Sequence, residues 1–189
     1  MKELKIHINK IHRIPSDILE EFFLYWHKKK VNKNEILTRA GYIERYLYFT
    51  VAGVQRAYYI KDGKEYNIAF THPFSFTCIP ESFLTQKYSK YTFQSLTESE
   101  LLYISYSDFF NFIRKHPIME TLLNKTLTNI LEGIVNRYHR IITLTMEEKF
   151  KDFMKNNSGL INIISHKHIA NYLNIDPTNF SKLLNKVRI

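Results

Sequence analysis

The segment from residue 165 to residue 188 carries side chains that can hydrogen-bond to a polyanion. Asparagine can pair with adenine edges, lysine with guanine edges, and serine or threonine with either bases or phosphates. No carboxylate follows Asp176 in the sequence. The polar and basic residues are Ser165, Lys167, Thr178, Asn179, Ser181, Lys182, Asn185, Lys186 and Arg188. Their types and spacing predict binding to duplex DNA, and the alternative is a helical hairpin whose basic face is only solvated.

Two short helices with a shared core would place those side chains on one surface. Six apolar residues recur at the spacing that this requires: Ile169, Leu173, Ile175, Phe180, Leu183 and Leu184. Ala170 is small enough to let the helices cross, and Asn174 tolerates the left-handed conformation of a tight turn. Asp176 is suited to a helix N-cap, Pro177 to the first helical position, and Ser165 to the cap of the first helix. The segment therefore predicts a helix-turn-helix, whose second helix would fit the major groove.

The composition limits the kinds of partner and compartment. The 189 residues carry a formal net charge of +9, which favours a partner that bears phosphate groups. Cys78 is the single cysteine, so an intramolecular disulfide and a cysteine-rich zinc or iron–sulfur site are excluded. No stretch approaches about 20 apolar residues, and the first residues do not resemble a signal peptide. We therefore expect a cytoplasmic protein with no membrane partner.

Helical and β-rich patterns occupy the rest of the chain. Residues 15–30 predict one helix, which ends at the cationic triplet Lys28-Lys29-Lys30. The β-rich runs that follow are 46–53, 54–60, 65–70, 91–96 and 100–105, with a hairpin turn at 61–64. Such short antiparallel strands predict a roll or barrel. Another helix is predicted to begin at Thr145, and residues 160–164 predict a short strand.

A long apolar stripe lies between the β-rich part and the C-terminal segment. Its residues step by three or four positions: Leu123, Leu127, Ile130, Ile134, Tyr138 and Ile141. Leu131, Val135 and Ile142 lie beside them. This spacing predicts a helix of some seven turns that joins two copies of the chain in a parallel dimer. The alternative is a helix that lies on its own β domain.

The order of these parts resembles the Crp/Fnr transcription regulators over essentially the whole chain. The most specific segments are Leu47–Val54, the hairpin Asp62–Glu65, Leu102–Ser105 and the helix-turn-helix. The resemblance implies an α+β fold: a double-stranded β-roll of the cyclic-nucleotide-binding type over residues 1–116, a dimerisation helix over 117–144, and a DNA-binding domain over 145–189. It also implies a homodimer on a near-palindromic operator, with half-sites about 34 Å apart. RNA polymerase is a further candidate partner.

The stretch that corresponds to the family's phosphate-binding cassette departs from the family pattern. Members that bind cyclic nucleotides use Gly-Glu on a short helix and a downstream Arg, but residues 74–91 contain no glycine, and Glu81 and Lys90 are the nearest equivalents. Lysine cannot make the bidentate phosphate contact of arginine. The candidate effector pocket is Phe76, Cys78, Glu81, Ser82, Ser89 and Lys90. We expect that cyclic AMP does not bind in the usual way and that no metal or cofactor is held, and the sequence does not identify an effector.

The recognition helix also departs from the family. Pro177, Thr178 and Lys182 stand where the cyclic-AMP receptor protein has an Arg-Glu pair and a later Arg, so the operator should differ. The sequence ends at Ile189, just past the recognition helix, so we expect no C-terminal β-hairpin wing of the kind typical of the family. We expect a dimeric, sequence-specific transcription regulator rather than an enzyme. The alternative is a ligand-sensing module that retains a vestigial helix-turn-helix and acts through a protein partner.

Overall fold

The computed structural model describes residues 1–186, so Arg188 of the predicted polar face lies outside the described residues. The strands are β1 (His27–Val31), β2 (Ile36–Thr38), β3 (Tyr46–Ala52), β4 (Gln55–Lys61), β5 (Lys64–Thr71), β6 (Ser75–Thr77), β7 (Thr92–Ser95) and β8 (Ser99–Ser105). The α-helices are α1 (Lys2–Ile11), α2 (Ser16–Phe23), α3 (Pro80–Thr85), α4 (Tyr106–Lys115), α5 (Ile118–Thr143), α6 (Met146–Asn157), α7 (His166–Tyr172) and α8 (Pro177–Lys186). A 3₁₀ turn spans Ser158–Asn162.

The strands form two four-stranded antiparallel sheets, ordered β1-β8-β3-β6 and β2-β7-β4-β5. Tyr48 from the first sheet and Phe93 from the second are both buried, with ring centroids 5.9 Å apart, so the sheets share an aromatic core. Strands β4 and β5 join through Asp62 and Gly63, which both have positive φ, as type I′ hairpin turns require. The predicted β-roll is confirmed, and its hairpin lies where the sequence places it.

The outer face of the first sheet is covered by α1, α2, α4 and the beginning of α5. Large apolar side chains fill this layer: Leu4, Ile8, Leu19, Phe22, Phe109, Phe112 and Met119, packed against Phe49, Leu102 and Ile104. Phe22 and Phe112 lie with ring centroids 4.9 Å apart. Burial of side chains of this size contributes about 1.5–3 kcal/mol each, which makes this layer the main stabilising core of the roll.

The single helix predicted for residues 15–30 is wrong in its second half. Helix α2 ends at Phe23, and the cationic triplet lies on β1, where Lys28 pairs with Leu102 and Lys30 with Glu100. Pairing with β8 satisfies the backbone of this edge strand and buries Val31, which outweighs the local helical pattern. Helix α1, strands β1 and β2, and the short strand β6 were not predicted.

Helix α5 is 26 residues long, and its buried residues, Met119 and Leu122, both lie near its beginning. Towards its end the apolar side chains project into solvent: Leu131, Ile134, Val135, Tyr138 and Ile142 are each more than half exposed, between 56% and 67%. The predicted long helix is therefore present, and its C-terminal half is not covered by its own β-roll. Among residues 1–186, no helix has the length and apolar character needed to cross a membrane.

The helices after α5 share a second core. Its largest fully buried side chains are Phe150 and Phe180, whose ring centroids lie 5.4 Å apart, and Ile169 and Ala170 of α7 lie beside them. The strand predicted at residues 160–164 is wrong, because these residues lie in and just after the 3₁₀ turn. The Ile164 backbone N–H donates to the Leu160 carbonyl at 2.9 Å, which brings both side chains into the core while Ile163 stays exposed.

Candidate functional site

The turn between α7 and α8 has the geometry that its sequence predicts. Asn174 has φ +54°, and the Ile175 backbone N–H donates to the Ala170 carbonyl at 2.9 Å. Asp176 caps α8, because its Oδ1 accepts from the backbone N–H of Thr178 at 2.8 Å and from that of Asn179 at 3.4 Å. These contacts fix the direction of α8 against α7, and therefore the direction of the polar face of α8.

Most of the side chains predicted to contact DNA lie together on the exposed side of α8. Thr178, Ser181, Lys182, Asn185 and Lys186 follow one another at steps of one or three residues and are all exposed. Asn179 is the exception: it is partly buried, and its Nδ2 lies 3.9 Å from the Met146 sulfur. On the first helix of the pair, Lys167 is exposed and Ser165 caps α7, accepting from the His168 backbone N–H at 3.4 Å.

One end of this polar face contacts acidic residues at the start of α6. The Lys186 Nζ lies 3.7 Å from a carboxylate oxygen of Glu147, which also pairs with Lys151 at 2.7 Å. Hydrogen bonding to Lys151 holds the pKa of Glu147 below its usual range. The Lys186 side chain is 75% exposed, so this contact is weak and leaves its charge available to a ligand.

The predicted effector pocket in the roll divides into exposed and buried members. Glu81 and Lys90 are exposed, Phe76 and Cys78 are partly buried, and Ser82 and Ser89 are buried. The Ser82 hydroxyl accepts from the Glu44 backbone N–H at 2.9 Å and donates to the Lys87 carbonyl at 2.6 Å. The Ser89 hydroxyl bonds to the backbone of Tyr91 in the same way. Both buried hydroxyls therefore stabilise the loop. Each already donates one hydrogen bond and accepts another, so little hydrogen-bonding capacity remains for a ligand.

A buried carboxyl that the sequence does not single out, Glu44, lies next to this loop. Its oxygens accept from the backbone N–H groups of Tyr46 at 3.3 Å and Ile79 at 3.4 Å, and Thr38 also hydrogen-bonds to it. Burial raises the pKa of Glu44 to about 7, and these hydrogen bonds only partly oppose that rise. Burial, with the nearby Glu44 and Glu81 carboxylates, also raises the pKa of the Cys78 thiol, so Cys78 is not a reactive thiolate.

A set of polar residues joins the roll to α7, and we call it the polar clasp: Arg56, Glu65 and Asn67 on β4 and β5, with His168 and Asn171 on α7. The Asn67 backbone N–H donates to Asn171 Oδ1 at 2.6 Å, and its Nδ2 donates to the His168 carbonyl at 3.0 Å. Asn171 Nδ2 in turn donates to the Glu65 carbonyl at 2.8 Å. These bonds make α7 an additional layer on the edge of the second sheet.

Arg56 is the charged centre of the polar clasp and is almost fully buried. Its Nη1 lies 2.6 Å from a Glu65 carboxylate oxygen and 3.1 Å from the Nδ1 of His168. Burial lowers the pKa of His168, and the positive charge of Arg56 lowers it further. His168 is therefore neutral in the clasp, and its Nδ1 accepts a hydrogen bond from Arg56.

Arg137 connects the same region to the long helix. Its Nη2 donates to the Tyr172 carbonyl at 3.1 Å and approaches the Asn67 carbonyl at 3.4 Å, while its guanidinium lies 4.3 Å from the centroid of the Tyr172 ring. Phe70 of the roll also packs against Tyr172, with the two ring centroids 4.8 Å apart. No sequence signal marks the polar clasp or Arg137, because their partners are brought together only by the fold.

The residues of the predicted dimer seam differ in exposure. Ile134 and Tyr138 are exposed, at 60% and 67%, whereas Leu123, Leu127, Ile130 and Ile141 are partly buried within the single chain. Leu123 packs against the core of the roll. Leu131, Val135 and Ile142 are more exposed than those four, so the uncovered stripe of α5 runs through residues 131, 134, 135, 138 and 142.

Within residues 1–186, no group of three His, Cys, Asp or Glu side chains is placed to hold a metal ion. The described sites offer hydrogen-bonding and charged groups: an exposed polar helix face, a braced loop in the roll, and a polar contact between the roll and α7.

Comparison with known proteins identifies the roll directly. Residues 28–116 match the cyclic nucleotide-binding domain family. No protein of curated function matches the sequence.

The solved structures that resemble the chain match most of its length. FixK2 from Bradyrhizobium japonicum is 15% identical with a TM-score of 0.73, over 85% of this chain and 83% of FixK2. CLP from Xanthomonas campestris, described as a c-di-GMP-responsive global regulator, is 15% identical with a TM-score of 0.70, over 91% of each chain. The Thermus thermophilus catabolite activator protein is 16% identical with a TM-score of 0.58, over 93% of this chain and 84% of that protein. The chain therefore contains a cyclic nucleotide-binding domain and has the fold of the Crp/Fnr regulators.

Proposed function

We propose that this protein is a non-enzymatic, sequence-specific transcription regulator that binds duplex DNA as a homodimer. The observation that carries the proposal is the exposed face of α8, on which Thr178, Ser181, Lys182 and Asn185 lie together on a capped helix. A helix with its side chains is about 10–12 Å wide, which matches the major groove of B-DNA at about 12 Å. The sequence after Asp176 contains no carboxylate that would repel phosphate groups.

The division of labour on this face follows from position. Residues near the beginning of a recognition helix reach base edges, so Thr178, Ser181 and Lys182 would read sequence. Asn185 and Lys186, one turn later, and Lys167 on α7 would contact phosphates, which fix the position of the helix in the groove. Ser165 would contribute through its position at the start of α7.

The uncovered stripe of α5 supports the homodimer. Five apolar side chains that are 56–67% exposed lie on one side of the helix, at residues 131, 134, 135, 138 and 142, and a second copy of the same helix is the simplest partner that could cover them. A two-fold axis along this stripe would present two copies of α8, so the operator would be near-palindromic, with half-sites about 34 Å apart.

The proposed effector is not a cyclic nucleotide held in the usual way. The loop that corresponds to the cassette has no glycine, and its buried hydroxyls already bond to the loop backbone. CLP shows that a protein of this fold can respond to c-di-GMP, so the fold does not restrict the ligand to cyclic AMP. RNA polymerase is the partner through which such a regulator would act on transcription.

Selection of binding sites from random duplexes tests DNA binding. The full-length protein should enrich a two-fold symmetric site, and the triple variant Thr178→Ala, Ser181→Ala, Lys182→Ala should lose that enrichment. The matched control is Lys155→Ala on α6, which removes an exposed cation elsewhere and should enrich the same site. If the unchanged protein enriches no sequence, the DNA-binding proposal is wrong and a module that acts through a protein partner takes its place.

Sedimentation tests the homodimer separately. Ile134→Glu places a charge in the middle of the uncovered stripe and should yield a monomer, because a buried unpaired charge is costly. Asn129→Glu, on the opposite side of α5 and also exposed, should remain a dimer. An unchanged mass for Ile134→Glu would contradict this seam.

A further inference from the structure

Helices α5, α6 and α7 surround a cavity of about 260 Å³ where the long helix meets the C-terminal helices. This volume lies just below the range of about 300–1,000 Å³ that is usual for ligand pockets, so it suits a small metabolite rather than a nucleotide. The cavity is separate from the predicted effector loop of the roll, since its lining residues lie between positions 133 and 173.

The charge around the cavity is positive. Arg137, Arg140 and Lys149 line it, and the one carboxylate in the lining, Asp152, bonds to Arg140 at 3.0 Å. Neither Arg137 nor Lys149 forms an ion pair with any carboxylate of residues 1–186. Two cations thus face one small space with no anion to balance them.

The Arg137 side chain is held in place, but not all of its hydrogen-bond donors have a partner. Its Nη2 bonds to backbone carbonyls, and its guanidinium lies against the Tyr172 ring, so the side chain is oriented before any ligand arrives. Its Nε is buried and has no hydrogen-bond partner within the described residues. A buried N–H without an acceptor costs free energy, and a carboxylate or phosphate oxygen is the acceptor that a guanidinium binds most strongly.

Besides Asn136 and Asn157, the rest of the lining is largely apolar. Ile141 of α5, Leu144 just after α5 and Phe153 of α6 contribute wall surface, and Tyr172 contributes its ring. An inorganic anion would leave these walls without a partner, whereas an aromatic or aliphatic body attached to the anionic group would cover them.

We propose that this cavity binds a small organic anion, whose carboxylate or phosphate group contacts Arg137 and Lys149 and whose apolar body packs against Phe153 and Leu144. Because the walls belong both to α5 and to the helices that carry α8, an occupant would bias the pose of α8. That consequence rests on the proposed DNA binding, but the binding site itself does not.

The test uses the full-length protein labelled with ¹⁵N and no DNA. Phenyl phosphate and phenylacetate are the anionic probes, benzyl alcohol is the uncharged probe, and inorganic phosphate is the probe without an apolar body. The Arg137 Nε–Hε resonance should shift on saturation with either organic anion, because the anion contacts the guanidinium to which this N–H belongs. It should not shift with benzyl alcohol. Inorganic phosphate should bind at least about tenfold more weakly than phenyl phosphate, as the apolar contacts are lost.

Variants locate the site. Lys149→Gln should weaken phenyl phosphate binding about tenfold by removing one charge-assisted contact, and it removes no hydrogen bond that the described structure contains. Lys155→Gln, on the same helix but outside the cavity lining, should bind as the unchanged protein does.

Three results would overturn the assignment: an Arg137 Nε–Hε resonance that stays in place at saturation, equal weakening by both lysine variants, or inorganic phosphate that binds as tightly as phenyl phosphate. The first two results would mean that the anions bind elsewhere on this basic protein. The third would mean that the site binds simple anions and does not select an organic ligand. None of these results bears on site selection from random duplexes, so failure here is distinguishable from failure of the proposed function.

Discussion

The exposed face of α8 and the braced loop of the roll were both expected to bind something, and they use their polar groups in opposite ways. On α8, Thr178, Ser181 and Lys182 point away from the core, and the described residues leave their hydrogen-bonding groups open to a partner. In the roll, Ser82, Ser89 and Glu44 are buried and hydrogen-bonded to the backbone around them. A residue that the family resemblance suggests as a ligand contact can therefore have a structural role instead. The buried hydroxyls of the roll are such a case, because they hydrogen-bond to the surrounding backbone.

The largest predicted effect is a loss of folding stability when Glu44, a buried polar residue of the roll, is replaced. Glu44→Ala removes the acceptor of a buried backbone N–H, that of Ile79, and of a partly buried one, that of Tyr46, and leaves a hole in a fully buried place. We expect the free energy of unfolding in urea to fall by about 3–5 kcal/mol. Glu81→Ala, at the exposed carboxylate that resemblance would favour, should change it by less than about 0.5 kcal/mol. Equal losses for the two variants would contradict the structural role assigned to Glu44.

The pH dependence of stability gives the next largest effect. The Glu44 carboxyl has a pKa of about 7 in the folded protein and its ordinary value of 4.5 when unfolded, so between these pH values the folded protein keeps a proton that the unfolded chain releases. Stability from this group is complete below pH 4.5 and is lost as pH rises towards 7, by about 3 kcal/mol in all.

The lowered pKa of His168 acts in the opposite direction, so the informative quantity is a difference between proteins. Urea unfolding at several pH values should show that the unchanged protein loses about 3 kcal/mol of stability relative to Glu44→Gln as pH rises from 4.5 to 7. A difference that is constant with pH would show that Glu44 does not keep its proton in the fold.

The features that the sequence predicts correctly are local, and those it misses depend on distant partners. Asn174 and Asp176 are recognisable because the turn and the cap involve residues within a few positions, and Thr145 and Glu148 likewise cap α6 reciprocally, with Glu148 accepting from the Thr145 backbone N–H at 2.8 Å. Arg56 and His168, by contrast, are 112 residues apart in the sequence. No spacing rule connects two such residues before the roll and α7 are docked.

Tertiary contacts also explain the two errors in secondary structure. The triplet at residues 28–30 follows a helical pattern, but β8 offers it a sheet edge, and backbone pairing with that edge decides the outcome. Residues 160–164 include three β-branched isoleucines, yet the described fold places Leu160 and Ile164 on one side of a 3₁₀ turn facing the second core. The local preference of a segment for helix or strand predicts its structure poorly when core packing requires a different one.

A smaller effect should distinguish the ways in which α8 contacts DNA. Lys182→Ala should weaken binding to the selected site by about 1–3 kcal/mol and relax the sequence preference if Lys182 reads a base. If it contacts phosphate instead, affinity should fall about equally for all duplexes, and the dependence of log K on log salt should lose about one unit of slope. Fluorescence anisotropy at several salt concentrations separates these outcomes, and no loss in either measurement would remove Lys182 from the interface.

The smallest effect should be the response of the roll to cyclic AMP. In a phosphate-binding cassette, glycine backbone N–H groups and an arginine neutralise the cyclic phosphate, but here Ser82 and Ser89 bond to their own loop and Lys90 is an exposed point charge. Calorimetric titration with cyclic AMP or cyclic GMP should therefore give no saturable heat at micromolar concentrations. Micromolar affinity would contradict the structural role assigned to Ser82 and Ser89, because nucleotide binding would require their hydroxyls to give up their hydrogen bonds to the loop. In that case Ser82→Ala should lower nucleotide affinity, whereas it should leave affinity for duplex DNA unchanged.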